Sequence, residues 1–149
     1  AGKTGQYWFE NLSINKVPPH PSESVYLDGV MMQHSRDEVL KTYRSFGVDK
    51  KKEFTEPEDH IAVEFSFLVY LCGKAIEALR KEDAKEARRY IQAQKDFLER
   101  HLVNWVPKFV QDIVNTSQTP FYRAIGILTK EYLEMDLSAT EDLLEQLRG

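Results

Sequence analysis

The chain has 149 residues, 42% hydrophobic and 30% charged, with a net charge of −4 at pH 7. That is the size and balance of one globular domain with a real core, which excludes wholesale disorder. The acidic balance, with a pI near 5.6, argues against a general nucleic-acid binder, which needs a surplus of Lys and Arg.

The single cysteine, Cys72, excludes an internal disulfide and a zinc site of the Cys-pair type. The most apolar stretch, Ile61 to Cys72, is 12 residues long and contains Glu64. It is too short to cross a bilayer, which takes about 20 residues, so no stable membrane insertion is expected. Ala1 to Glu10 lacks the apolar run of a secretory segment. The chain opens on Ala rather than Met, as a fragment or a processed form would.

Along the chain, residues 4–12 suit a short helix. Ser13 to Asp28 carries Pro18, Pro19 and Pro21 and is expected to be extended and irregular, because proline removes a donor and restricts its predecessor. Ser35 and Glu38 have capping-box spacing, with Gly47 where a C-terminal cap belongs. Val39, Tyr43 and Phe46 point inward between them. After the charged Asp49–Phe54, Thr55 and Glu58 offer a second capping box, which predicts a helix from Thr55 to about Lys81. Its first half is apolar almost all round, as in a central buried helix.

A further helix is expected from Asp83 to Leu102, with Ala87, Ile91, Gln94, Leu98 and His101 or Leu102 on one face. Residues 106–114 place Val106, Phe109, Val110, Ile113 and Val114 at spacings 0, 3, 4, 7 and 8. Thr119 and Pro120 open a helix with the stripe Phe121, Ile125, Leu128, Tyr132 and Met135. Ser138 and Glu141 cap a last short helix carrying Leu143, Leu144 and Leu147. No segment alternates apolar and polar residues as a strand would. The expectation is all-α: one domain over residues 1–149, a bundle of about six or seven helices. Residues 1–34 form its irregular proline-bearing part and 35–149 its helical core.

The densest chemistry is Glu56-Pro57-Glu58-Asp59-His60, followed by Glu64. Five carboxylates lie between Glu53 and Glu64, with no Lys or Arg among them. Two readings stand side by side. Acidic residues in a first helical turn complement the helix dipole, which accounts for Glu58 and Asp59 but not for His60. Alternatively, an acidic, rigid helix entrance faces a cationic ligand. A small metal-dependent enzyme using His60 and Glu64, four apart on one helix face, is a third option. It lacks the three or four converging ligands a closed site needs. Trp105 reads as a core wedge and Cys72 as an inert core thiol. No nucleophile motif is present, and Gly2-Lys3-Thr4-Gly5 matches only the tail of a phosphate loop.

The run Thr55 to Cys72 resembles the signature of the TorD/DmsD/NarJ family of redox-enzyme maturation chaperones. Its E-P-x-D-H motif is matched by Glu56, Pro57, Asp59 and His60. Three more stretches agree in order: PPHPSESVYLDG (18–29), YRSFGV (43–48), and HLVNWVPKF (101–109) followed by FYRA (121–124). The likeness spans residues 7 to 135. It departs in lacking the helical sequence that family members carry before the segment matched by Tyr7 to Phe9.

The resemblance implies a cytoplasmic, all-helical chaperone without catalysis or cofactor. Such a protein binds the twin-arginine leader, or the N-terminus, of a molybdenum-cofactor oxidoreductase subunit. It assists cofactor insertion and delays export until assembly. Molybdenum-cofactor delivery proteins are further implied partners, and some relatives bind guanine nucleotide weakly; no nucleic acid is implied. Carried onto this chain, the leader site comprises Glu56, Pro57, Asp59, His60, Tyr26, Gly47 and Trp105. Glu56 and Asp59 supply charge to guanidinium groups, Pro57 fixes the helix entrance, and Tyr26 takes apolar leader residues. A helical adaptor for another partner is the alternative from a different class.

Overall fold

The computed structural model describes residues 18–148. The short helix expected over residues 4–12, with Tyr7, Trp8 and Phe9, lies outside the described residues. Six α-helices follow in order: α1 (Glu23–Leu27), α2 (His34–Ser45), α3 (Ile61–Arg80), α4 (Ala84–Phe97), α5 (Val103–Thr116) and α6 (Pro120–Gln146). Among the described residues there is no strand, only an isolated antiparallel bridge between Ser22 and His60. The all-α expectation holds. α3 packs on α4, α5 on α6, and α6 also on α4.

Several boundaries differ from expectation, each for a local reason. The proline-bearing segment is not irregular throughout, because α1 forms within it. α2 does not start at a Ser35 cap. Instead the Ser35 N–H donates to Asp28 Oδ2 at 2.8 Å, so a side chain seven residues upstream satisfies a free donor of the first turn.

α3 begins at Ile61, not near Thr55. His60 is its N-cap, with Nδ1 accepting from the Ala62 N–H. Thr55 and Glu58 therefore form no capping box, and Glu58 and Asp59 sit in a turn rather than in a first helical turn. α6 runs unbroken through Ser138, for about 40 Å at 1.5 Å per residue. Thr140 inside it is buried and its hydroxyl donates to the Leu137 carbonyl, so nothing interrupts the helix there.

The expected break between residues 102 and 106 is absent too. α4 continues into α5 through one π-helical turn, Leu98–Leu102. Pro107 lies inside α5, where it can donate no hydrogen bond and crowds the preceding turn. The Asn104 side-chain amide donates to the carbonyls of Glu99 (3.0 Å) and Arg100 (2.8 Å), covering the change of register. Wide turns of this kind rotate the residues they contain. As a result both His101 and Leu102 are buried, where an unbroken α-helix would favour one of them.

The core centres on aromatic contacts between three helices. The Tyr43 and Phe67 rings lie 4.7 Å apart, and Phe67 and Phe97 4.9 Å. The expected inner face of α4 (Ala87, Ile91, Gln94) and that of α5 (Val106, Phe109, Val110, Ile113) are buried. Gly47 ends α2 as expected, at φ +67. Its N–H donates to the Arg44 carbonyl at 3.0 Å, and the Val48 N–H donates to the Tyr43 carbonyl at 3.1 Å. This is the paired bonding of a Schellman cap.

A Cβ at Gly47 would meet no atom within 4 Å, so only the backbone conformation opposes a side chain there. Gly47→Ala is expected to lose about 1–2 kcal/mol of stability with unchanged helix content. Urea unfolding followed by circular dichroism measures both.

Candidate functional site

The E-P-x-D-H residues form a tight turn, in which the His60 N–H donates to the Pro57 carbonyl at 3.1 Å. That turn is stapled to the proline-bearing segment. The Ile61 N–H donates to the Pro21 carbonyl at 2.9 Å, and the Glu23 N–H donates to the Asp59 carbonyl at 3.0 Å. The Ser24 N–H donates to Asp59 Oδ2 at 2.8 Å. Asp59 is fully buried. It caps α1 from 35 residues away, a helix whose own N-cap, Ser22, makes no side-chain cap bond. A carboxylate on free helical N–H groups is a strong, charge-assisted interaction.

Beneath the turn lies a polar cluster contributed by α1, α3, the π turn and α5. Glu23 and Glu64 are both buried, and their carboxyl groups lie against each other. His101 Nδ1 is 3.0 and 3.1 Å from the two Glu23 oxygens. Trp105 Nε1–H donates to Glu64 Oε2 at 3.1 Å. Burial, and then the neighbouring charge of Glu23, push the Glu64 pKa well above the usual carboxylate range. An ionised Glu64 would leave Oε1 without a donor. A protonated Glu64 can donate to the Glu23 carboxylate instead, which removes the repulsion of two close charges. Tyr43 closes the cluster, its hydroxyl donating to the Glu58 carbonyl at 3.0 Å. Burial raises its pKa, and so do the nearby carboxylates.

The motif's outer groups have different partners. Arg36 Nε donates to Glu58 Oε2 at 2.7 Å, with Lys50 Nζ 3.7 Å from the other oxygen. Burial alone would raise the Glu58 pKa, but Arg36 and Lys50 hold it below the usual value. Lys50 also donates to the Glu56 carbonyl. The Glu56 side chain is 52% exposed, and its Oε2 lies 3.9 Å from His60 Nε2. Burial lowers the His60 pKa, against an opposing pull from Glu56, which suits the neutral ring its capping role requires.

The expected site residues therefore divide. Glu56, Pro57, Asp59 and His60 share one turn, with Glu56 outward and Asp59 inward. Trp105 is buried in the cluster below. Tyr26 rests on Trp105 and Phe109 at 5.7 and 6.0 Å, and its hydroxyl donates to Asp112 at 3.0 Å. Gly47 ends α2, the helix whose Tyr43 touches the turn.

The metal reading fails on geometry. His60 precedes the helix and caps it, whereas Glu64 points into the core at Trp105. Among the described residues no group of three His, Cys, Asp or Glu side chains could hold a metal ion. Sequence reasoning missed Glu23 and the pairing of Glu64 with Trp105. It also missed a cleft of about 480 Å³ whose apolar lining is Tyr43, Val48, Phe54, Val63, Phe67 and Tyr70, with Asp49, Lys50, Lys51 and Glu53 along the linker side. The cleft is walled by α2, α3 and the linker that leads to the turn.

The described residues thus form an all-helical body with a stapled acidic turn over a buried carboxyl pair. The family model of the nitrate reductase delta subunit matches residues 9–111. The chain belongs to that family. A perchlorate reductase assembly chaperone protein of Dechloromonas aromatica is 31% identical over 136 residues, 88% of this chain and 58% of that protein. A chlorate reductase assembly chaperone protein of Ideonella dechloratans is 33% identical over 121 residues, covering 81% and 58%. The chaperone protein TorD of Vibrio cholerae is 28% identical over 127 residues, covering 85% and 56%. The chain thus spans a little over half the length of these relatives. No solved structure matches it. No helix among the described residues is long and apolar enough to cross a membrane.

The Glu64 proton carries a sign. Unfolded, Glu64 titrates near the ordinary carboxylate value of about 4.3; folded, its pKa is raised. Below the unfolded value both states hold the proton and the cluster's stability is fully present. As pH rises above that value, only the unfolded state releases the proton, and stability falls by up to about 1.4 kcal/mol per pH unit until the folded pKa is passed. Glu64→Gln keeps an acceptor for Trp105 and a donor for Glu23 without titrating. It is expected to be more stable than wild type near pH 8, with the advantage shrinking towards pH 5. Urea midpoints across that range measure it.

Proposed function

We propose that the chain acts as an assembly chaperone rather than an enzyme. It holds the twin-arginine leader or N-terminus of a molybdenum-cofactor oxidoreductase subunit in the cytoplasm during cofactor insertion, before export. The relatives named as reductase assembly chaperones and the family match support a reductase subunit as client. The resemblance in the E-P-x-D-H block supports leader recognition.

The observation that carries the mechanism is the division within the motif. Of its three carboxylates, Glu56 is exposed, Glu58 is held by Arg36 and Lys50, and Asp59 is buried. In this reading Glu56 pairs with a client guanidinium, and Asp59 supports it by fixing the turn. Pro57 limits the turn's freedom, and His60 ties the turn to α3. The apolar cleft beside Val48, Phe54 and Tyr70 takes the client's apolar residues. Tyr26 and Trp105 act from below, by shaping α1 and α5. Gly47 sets where the linker leaves α2. Molybdenum-cofactor delivery proteins would meet the chaperone–client complex, and weak guanine-nucleotide binding would be secondary.

The test is calorimetric titration with a synthetic leader carrying adjacent arginines. Glu56→Gln is expected to weaken binding by about tenfold or more, in line with a lost charge-assisted bond, at unchanged stability. Asp59→Asn is expected to lower thermal stability as well as binding. Unchanged affinity in Glu56→Gln would refute the role of this carboxylate.

A further inference from the structure

Lys50 sits in the linker between α2 and α3 and lines the cleft. Lysine is ordinarily a solvated point charge on a flexible stem, and its neighbours Lys51 and Lys52 are exposed. Lys50 is drawn inward instead, with its side chain 19% exposed. Its ammonium donates to the Glu56 carbonyl and lies 3.7 Å from Glu58 Oε1. At that separation it neighbours the carboxylate without a hydrogen bond.

Glu58 is held unevenly. Arg36 Nε donates to its Oε2 at 2.7 Å, while Arg36 Nη1 turns to Asp37 at 3.2 Å. Arg36 thus divides its donors between two carboxylates and does not close the two-bond fork that makes an arginine–carboxylate pair strong. The backbone N–H of Glu58 itself adds a further bond to its side chain. The looser of the two cations on Glu58 is Lys50, and it stands on the cleft side.

The turn therefore shows one open carboxylate, Glu56, where two adjacent arginines bring two guanidinium groups. Asp59 is committed to α1. Glu58, 16% exposed, becomes the second receptor once Lys50 moves aside. The exchange is favourable in kind. A guanidinium is weakly hydrated and presents five donors in a fixed fork, whereas a released ammonium regains strong hydration. One cation replaces another beside Glu58, so no charge is left unpaired. Because Lys50 lines the cleft, its departure also joins the cleft to the Glu58 carboxylate.

We propose, resting on the leader reading above, that Lys50 is a built-in stand-in for the second cation of the client. It neighbours Glu58 in the free protein and is displaced by a client guanidinium. A single arginine is met by Glu56 and leaves Lys50 in place; a second one displaces it. Glu58 then sets the preference for two arginines over one, and Lys50 limits how strong that preference is.

Calorimetric titration tests this with two peptides, a leader carrying adjacent arginines and the same leader with one arginine replaced by glutamine. Lys50→Met keeps the apolar stem and removes the charge; thermal melts check that the fold is kept. It is expected to bind the two-arginine leader at least about threefold more tightly than wild type, the scale of one ion pair near a surface. Its affinity for the one-arginine peptide should stay near that of wild type. Lys52→Met makes the same change of charge at an exposed position and should leave both affinities near wild type. Glu58→Gln keeps an acceptor for Arg36 and is expected to bind the two peptides about equally. If wild type binds the leader but Lys50→Met binds it no more tightly, Lys50 is only structural and the proposal is overturned. A gain that extends equally to the one-arginine peptide, or that Lys52→Met reproduces, also overturns it. Binding of neither peptide to wild type or to Lys50→Met would refute the leader reading itself, and the stand-in with it.

Discussion

The burial of the Glu23 and Glu64 carboxyl groups against each other is the constraint on which the rest of this site rests. Two ionised carboxylates in contact inside a protein would repel and lack solvation. One proton removes a charge and turns repulsion into a hydrogen bond. Trp105 and His101 then satisfy the outer oxygens from the other side. Because these four residues come from α1, α3, the π turn and α5, the cluster fixes how those elements meet. Buried polar groups of this kind are costly when incomplete and specific when complete.

What the cluster positions is a turn whose residues have separate duties. Asp59 points inward; its Oδ2 accepts the Ser24 N–H and its carbonyl the Glu23 N–H at the start of α1. His60 spends its ring Nδ1 on the Ala62 N–H of α3. Both are occupied by backbone, which locks the geometry around Pro57. Glu58 is neutralised by Arg36 and Lys50. That leaves Glu56 on the surface, its carboxylate in no ion pair with Lys or Arg among the described residues, near a largely apolar cleft. A short motif can thus hold a functional carboxylate and the residues that aim it, and a sequence pattern does not distinguish the two.

Much of the helical architecture was legible because burial imposes a 3.6-residue period, and the faces of α4 and α5 carry it cleanly. The failures have physical causes. Ser138 and Glu141 have capping-box spacing, but no neighbouring signal stops the helix and Thr140 bonds back within it, so α6 continues. Thr55 and Glu58 share that spacing, yet Glu58 is claimed by Arg36, a partner 22 residues away that local reading cannot see. The stripe from Phe121 to Met135 was visible as a stripe; its outward orientation depends on which of two apolar faces the bundle covers, and the bundle covers the face of Gly126, Leu133, Thr140 and Leu144. At the site, the motif residues were legible from resemblance. Glu23 and the inward aim of Glu64 were not, since only the fold brings Glu23 within reach of His101, 78 positions along the chain.

The most direct test of this account is to read the protonation of Glu64 itself. Carbon-13 NMR of the glutamate carboxyl groups, assigned with Glu64→Gln, reports each titration separately. A carboxyl signal for Glu64 that stays in its protonated position at neutral pH is the result the account predicts. A Glu64 that ionises in the ordinary carboxylate range would contradict the protonated pair, and with it the explanation of how the acidic turn is held.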